Sequence, residues 1–337
     1  MASRALGLWG ESTAELVDVA RRAETAGFAS VWTDELERTP FVPLAAVAAG
    51  TAKVQLGTGA ALAFVRSPLV TALTALDLDE LSRGRLILGL GSGVQRLNED
   101  WHGVPFGKPV PHMREAVAAI RAIMAGAHMG EPIVFQGDYY RIRIRGYQRP
   151  FPPVREHLPI FLGGIGPQMV ALAGEVADGW LGHELNTPRY LREVIMPRLK
   201  VGFDRSGRQR RDLSVCPTLV CAIAGHPRDA RRIAAGTVAF YATVRTYAPL
   251  FIAHGFGEPL ERIQHLFRSG QYPAMVQAVP DEMVDAFVAA GTPDQVRARL
   301  ADYEDLADVV KVAAPHYFLE PEVIRAQQLS LIEHLSP

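Results

Sequence analysis

The sequence predicts an α/β fold, a closed (β/α)8 or TIM barrel with insertions. The first observation is length: 337 residues exceed the usual size of one domain, which leaves two domains or one α/β barrel with insertions. The second is that short apolar runs alternate with helical patterns, the order typical of a parallel sheet. The third is that the chain shows no internal repeat, linker or low-complexity tract. We therefore expect one domain over residues 1–337.

Eight runs of the chain have the character of buried parallel strands. They are short and apolar on both faces, as RLILGL at 85–90 illustrates. The eight runs are residues 5–9, 30–33, 54–61, 85–90, 159–162, 179–182, 213–223 and 308–313. Eight strands in this alternation are the number that closes a TIM barrel.

Helix signals follow these runs. Ser12 and Glu15 have the spacing of a capping box, and apolar residues then recur at helical spacing. Apolar periodicity and prolines at first helical positions predict further helices from about residue 43, at 68–81, around 113–124 and after Pro167.

Three segments exceed the minimal repeat. Residues 93–111 form a long loop after the fourth strand. Residues 130–157 contain IVFQGDYYRIRIRG, which predicts a hairpin because a QGD turn separates two β-rich runs. Residues 248–291 are predicted to be a helical insertion, after which a Thr-Pro pair at 292–293 begins the next helix.

Composition argues against several classes of partner. Lys plus Arg (35) nearly balance Asp plus Glu (36), so the chain has no excess of basic residues for binding nucleic acid. No apolar run reaches the roughly 18 residues of a membrane span, and we expect no membrane partner. Cys216 and Cys221 are five apart on one predicted strand and face opposite sides, which disfavours a disulfide. A cytoplasmic protein is the expectation.

In TIM-barrel enzymes the catalytic and binding residues lie at the carboxyl ends of the strands. The residues that directly follow predicted strands are Trp9, Asp34, Glu35, residues 59–61, 91–93 and 163–166, His183 and Glu184. Glycine-rich turns after the fourth and fifth strands can together hold a ligand that has a flat ring and a phosphate tail. The sequence therefore predicts a phosphorylated cofactor.

The turn at 163–166 is the strongest single signal. Gly163, Gly164 and Gly166 permit a tight turn, and Pro167 suits the first position of a helix. Such a turn directs backbone N–H groups and the positive end of the helix dipole at one spot, where an anion binds. The alternative interpretation is that these glycines only connect a strand to a helix.

The chain resembles the bacterial luciferase-like superfamily of flavin- and deazaflavin-dependent oxidoreductases. The resemblance extends from about residue 6 to 331 and rests on AETAGFASVW, VQLGTGAALAFVRSP, SRGRLILGLGSG followed by Asn98, FQGDYYR, and LPIFLGGIGP with LAGEVADGW. The variants TPFVPLA, FVRSPLVTA, GLGSG and TPRYLREVIMPRL are most similar to the actinobacterial branch that depends on the deazaflavin coenzyme F420.

The resemblance implies a set of cofactor-binding positions. Gly59–Ala60 matches a non-prolyl cis peptide that lies against the central ring of the cofactor; an ordinary trans bend is the alternative. The amides of the 163–166 turn match the site of the tail phosphate. With Asp34 and Gly163, which directly follow predicted strands, the predicted cofactor-binding set is Asp34, Gly59, Ala60, Ser92, Gly93, Asn98, Gly163, Gly164, Ile165 and Gly166.

Two candidates for proton transfer follow the strands. Glu35 is either an acid/base at the mouth or a salt-bridged loop carboxylate. His183 is either a proton donor that titrates near neutral pH or a hydrogen-bonded rim histidine. The sugar-phosphate dehydrogenases of the superfamily carry an acid where this chain has Val94 and Gln95, so we do not expect glucose-6-phosphate as substrate.

Aromatic residues near the predicted mouth are Trp9, Phe64, Trp180 and Tyr241. As pocket walls they would suit an apolar or aromatic substrate; ordinary packing is the alternative. The ten histidines and two cysteines show no metal-ligand spacing, so no metal is expected.

The resemblance implies hydride transfer between coenzyme F420 and a small organic substrate. The alternative is an FMN-dependent monooxygenase, in which reduced flavin activates oxygen. A third hypothesis, from another class, is a cofactor-binding barrel without catalytic activity. The family often forms dimers, so a homodimer is possible.

Overall fold

The computed structural model describes residues 2–337 and confirms the barrel. The strands are β1 (Ser3–Gly7), β2 (Ser30–Thr33), β3 (Gln55–Thr58), β4 (Ala61–Leu62), β5 (Leu86–Gly91), β6 (Ile133–Gln136), β7 (Arg141–Ile144), β8 (Ile160–Gly163), β9 (Gly179–Leu181), β10 (Ser214–Cys216), β11 (Thr218–Ile223), β12 (Ala289–Gly291) and β13 (Val309–Ala313).

Fourteen α-helical segments follow or connect the strands. They are α1 (Thr13–Thr25), α2 (Phe41–Gly50), α3 (Pro68–Leu81), α4 (Pro109–Gly126), α5 (Pro167–Val176), α6 (Pro188–Tyr190), α7 (Met196–Ser206), α8 (Pro227–Thr243), α9 (Ala248–Ala253), α10 (Gly257–Arg268), α11 (Tyr272–Gln277), α12 (Asp281–Phe287), α13 (Pro293–Ala301) and α14 (Pro321–His334). No helix within residues 2–337 is long and apolar enough to cross a membrane.

Parallel pairing closes the sheet into a ring. The order β1, β2, β3, β5, β8, β9, β10 is continuous, and β13 pairs with both β11 and β1. The predicted seventh strand is split at Pro217, which has no N–H to donate. Its first part pairs with β9 and its second with β13, so this bent strand closes the barrel.

The predicted helix starts are formed. The Glu15 amide donates to the Ser12 hydroxyl at 3.2 Å at the start of α1. Thr292 and Gln295 form a capping box at the start of α13. These local signals are confirmed because a cap needs only residues within one turn of each other.

The three longer segments contain structure of their own. Strands β6 and β7 form the predicted antiparallel hairpin, whose turn amides donate to the Glu115 carboxylate of α4. A π-helical turn, Leu97–Trp101, lies within 93–111. The segment 248–291 contains α9 to α12, but it ends in β12, a strand paired with β11 where only helix was expected.

The interior of the barrel is filled below its mouth. Trp32 of β2 and Phe161 of β8 lie with ring centroids 5.8 Å apart. Gly57 and Gly179 make room for them, since a Cβ at these glycines would lie 2.1 Å from the Trp32 ring and 2.5 Å from the Phe161 ring. These two rings therefore fill the barrel interior at this level; the rim at the carboxyl ends of the strands is called the mouth.

Candidate active site

Three small residues form the floor of the mouth. The Gly59–Ala60 peptide bond that follows β3 is cis, as the resemblance implied. The Ala60 methyl group lies 3.2 Å from where a Cβ on Gly91 would stand and 3.9 Å from the same point on Gly163. A larger side chain at Gly91 would therefore press on Ala60, so this part of the mouth requires small residues.

The turn after β8 presents unpartnered amides. Gly166 is the N-cap residue of α5 and no side chain caps this helix. Within residues 2–337, the N–H groups of Gly164, Ile165 and Gly166 donate no hydrogen bond. The start of a helix with free amides attracts an anion. A Cβ on Gly164 would lie 2.7 Å from the Met169 side chain, so this glycine is also needed for packing.

Ser92, Gly93 and Asn98 shape the loop after β5. The Asn98 amide nitrogen donates to the carbonyl of Ser92 at 2.8 Å and of Val94 at 3.0 Å. Gly93 has φ +62°, a left-handed conformation that favours glycine. Asn98 is fully buried and its Oδ1 has no partner in the described chain, so this side chain positions the loop.

Glu35 forms an ion pair and accepts a backbone hydrogen bond. Its carboxylate forms a two-point ion pair with Arg66, with one contact of 2.8 Å, and also accepts from the Leu62 amide at 2.6 Å. The Glu35 side chain is only 7% exposed. The structure therefore favours the alternative of a salt-bridged loop carboxylate, because these contacts occupy both carboxylate oxygens and hold Glu35 beside β4.

His183 lies at the mouth but does not titrate near neutral pH. Burial, together with the positive charge of Lys311, lowers the pKa of His183 to about 3. Its Nδ1 accepts from the Leu185 amide at 3.2 Å. The ring is therefore neutral at pH 7 with its proton on Nε2, which corrects the expectation of near-neutral titration.

Tyrosines surround His183 and the neighbouring Glu184. The ring centroids of Tyr241 and Tyr247 lie 4.6 and 4.3 Å from that of His183. Burial and the Glu184 carboxylate raise the pKa of Tyr241 and of Tyr317, and raise that of Tyr247 to about 12. All three hydroxyls keep their protons at neutral pH. Glu184 Oε2 is buried and has no hydrogen-bond partner within residues 2–337.

Three of the four aromatic residues that were predicted to line the substrate pocket lie away from His183. Trp180 is fully buried and its indole N–H donates to the Gly164 carbonyl at 2.9 Å, so it supports the turn. Phe64 is buried in a stack on His112, with centroids 3.7 Å apart. Trp9 lines a cavity of about 300 Å³ between α1 and α14. Tyr241 alone lies with His183, since Trp9, Phe64 and Trp180 pack against neighbouring elements.

Lys311 is a candidate that the sequence analysis missed. It lies on β13 with its side chain 5% exposed, and its Nζ is 3.8 Å from Asp34 Oδ1. Nζ is also 3.4 Å from where a Cβ on Gly59 would stand. Asp34, Gly59 and Lys311 thus meet at the mouth. The available signal was one charged residue in an otherwise apolar strand, VVKVA.

Comparison with known proteins agrees with this architecture. The chain is 34% identical over 324 residues to a Mycobacterium tuberculosis protein named "Putative coenzyme F420-dependent oxidoreductase", covering 89% of this chain and 90% of the relative. It is 31% identical over 298 residues to the 5,10-methylenetetrahydromethanopterin reductase of Methanolobus tindarius, covering 87% of each.

Two solved structures share the fold. The coenzyme F420-dependent tetrahydromethanopterin reductase from Methanopyrus kandleri superposes with a TM-score of 0.84 at 23% identity, covering 99% of both chains. The oxygenating constituent of 3,6-diketocamphane monooxygenase from Pseudomonas putida, in complex with FMN, gives 0.69 at 19% identity, covering 100% of this chain and 98% of the other. A family model described as luciferase-like monooxygenase matches residues 2–308, and the chain belongs to that family.

Proposed function

We propose that this protein is a coenzyme F420-dependent oxidoreductase that transfers a hydride to or from a small organic substrate. The observation that carries the proposal is the similarity, over 89% of this chain, to the M. tuberculosis protein named for that cofactor. Coenzyme F420, when bound, would supply a two-electron hydride carrier.

The residues of the mouth fit such a cofactor. The floor of Ala60, Gly91 and Gly163 leaves room for a flat ring, because a Cβ at Gly91 would already crowd Ala60. The free amides of Gly164, Ile165 and Gly166 suit a phosphate at the start of α5. Trp32 and Phe161 belong to a buried apolar cluster in the barrel interior, which Ala60 also contacts.

At neutral pH His183 carries one ring proton and Tyr241 keeps its hydroxyl proton. His183 presents a neutral ring whose Nε2 carries the proton, and the Tyr241 hydroxyl stays protonated because burial and Glu184 raise its pKa. The Nε2–H of His183 is the hydrogen-bond donor that this cluster offers to a substrate oxygen, and Tyr241 packs against its ring. Donors that are already oriented in a dry site stabilise charge that develops on such an oxygen.

Separate titrations with F420 and with FMN test the proposal. We expect fluorescence quenching to give an F420 dissociation constant of about 1 μM or lower, or about −8 kcal/mol. FMN should bind at least ~10-fold more weakly, about 1.4 kcal/mol less favourably. Reduced F420 should then be oxidised by a carbonyl substrate without oxygen uptake.

Two results would support a different function. Tight FMN binding with oxygen consumption, and no F420 binding, would indicate a monooxygenase, a possibility that the FMN-bound P. putida neighbour keeps open. Tight F420 binding without hydride exchange across carbonyl, alcohol and imine substrates would indicate a cofactor-binding barrel without catalytic activity.

A further inference from the structure

Lys311 is unusual among the lysines of this protein. The sequence has four, and within residues 2–337 Lys53, Lys108 and Lys200 are exposed whereas Lys311 is buried. It projects from β13 into an interior that is otherwise lined near this level by apolar and small residues. A buried ammonium group is costly unless another group compensates it.

The compensation that the chain itself provides is incomplete. Lys311 Nζ donates no hydrogen bond to any group in residues 2–337. The Asp34 carboxylate lies 3.8 Å away, beyond hydrogen-bond distance, and its side chain is 54% exposed to water. The ammonium group therefore has free donors, and three donors are available on a lysine.

These donors adjoin the open part of the mouth. Nζ stands 3.4 Å from the position of a Cβ on Gly59, the first residue of the cis peptide that borders the floor. It is also close enough to His183, which follows β9, for its charge to lower the pKa of that imidazole. A molecule that rests on Gly59 and Ala60 would meet this ammonium group directly.

We propose that Lys311 is a ligand-binding residue whose ammonium group holds an electron-rich oxygen, of a carbonyl or carboxylate group, in the mouth of the barrel. The oxygen belongs either to the ring of the cofactor or to the substrate. This inference rests on the proposed function in one respect, which is that ligands bind at the mouth of the barrel. It extends the proposed function because Lys311 would favour ligands that carry a carbonyl or carboxylate oxygen.

The small number of lysines makes a direct test practical. Protein labelled with ¹³C at lysine Cε should give four resolved Cε signals. The variants Lys53→Met, Lys108→Met and Lys200→Met assign three of them, which identifies Lys311 even where Lys311→Met does not fold. F420, benzoate and cyclohexanone are then titrated separately, and the two small probes also in the presence of F420.

We expect at least one of these ligands to shift the Lys311 signal while the exposed lysines stay unmoved. Lys311→Met should weaken binding of that ligand by about tenfold or more, because hydrogen bonds from charged groups are the stronger class. Lys53→Met is the matched control and should bind as the parent does. A shift with F420 alone assigns the oxygen to the cofactor, and a shift only with benzoate or cyclohexanone assigns it to the substrate.

The outcomes separate this inference from the proposed function. A Lys311 signal that moves with benzoate or cyclohexanone in a protein that does not bind F420 would overturn the proposed function and support the role of Lys311. A Lys311 signal that no ligand moves would overturn that role. Unchanged affinity of a folded Lys311→Met variant would do the same, even if F420 binds tightly.

Discussion

The indole N–H of Trp180 donates a 2.9 Å hydrogen bond to the carbonyl of Gly164. This bond joins the end of β9 to the turn before α5, whose amides are free. Trp180 is fully buried and Gly164 is half-buried, so the indole end of the bond is shielded from water. The orientation of the proposed phosphate site thus depends on a residue from the next strand.

Trp180→Phe should loosen this turn. The variant keeps an aromatic ring but loses the hydrogen bond and some volume, and we expect a loss of about 1–2 kcal/mol in unfolding free energy. Urea denaturation measures the loss, and F420 titration should show weaker binding in the same variant. Full stability together with unchanged F420 affinity would mean that the bond does not order the turn.

Gly166→Asp should abolish or strongly weaken binding of a phosphate-bearing cofactor. A Cβ at Gly166 meets nothing within 4 Å and its φ of −66° suits any residue, so the substitution fits the fold. The negative charge of a carboxylate beside this helix start would repel phosphate.

Gly166→Asn is the matched control for that charge. It has nearly the same shape without the negative charge and should retain most of the affinity for F420. Titration of both variants by fluorescence quenching gives the comparison, and the affinity of the parent in both variants would show that no phosphate binds at this turn.

Glu35→Gln should affect stability rather than proton transfer. Glu35 and Arg66 form a two-point ion pair in which Arg66 is 20% exposed. Breaking it leaves a partly buried arginine without its partner, and we expect a loss of roughly 2 kcal/mol in unfolding free energy. The pH dependence of turnover should keep its shape.

The double variant Glu35→Gln, Arg66→Met is the control for this pair. It removes both charges and should recover part of the lost stability in urea denaturation. A pH profile that loses one limb in Glu35→Gln alone would restore Glu35 as an acid or base.

His183 should make stability depend on pH between about 6.5 and 3. The pKa of this imidazole is 6.5 when unperturbed and about 3 in the folded protein. The unfolded chain therefore binds a proton in this window that the folded chain does not, and the contribution to stability falls as pH falls. Urea denaturation at a series of pH values measures this effect.

His183→Asn removes the titrating group and retains an acceptor for the Leu185 amide. As the pH falls from 7.5 to 4.5, the unfolding free energy of the parent should therefore decrease more than that of the variant. Because both proteins contain the same carboxylates, comparing their unfolding free energies cancels the contribution of carboxylate titration. Parallel stability curves would show that His183 is protonated equally in both states.

The sequence alone determined the features that depend on neighbouring residues. The caps at Ser12 and Thr292, the antiparallel hairpin and the strand–turn–helix at 163–166 follow from residues within a few positions of each other. Local patterns set backbone conformation and capping, so they could be recognised without knowing what packs on them. Alternation of such units was enough to predict the barrel.

Only the tertiary structure decided which side chains meet. The sequence left Glu35 either as a free acid or as a salt-bridged carboxylate, and the folded chain places Arg66 against it. Lys311 stands near the end of the chain, and only its pairing with the first strand brings it to Asp34 and Gly59. Contacts across the mouth join residues far apart in sequence, and no local pattern specifies the distance or burial that sets their charge.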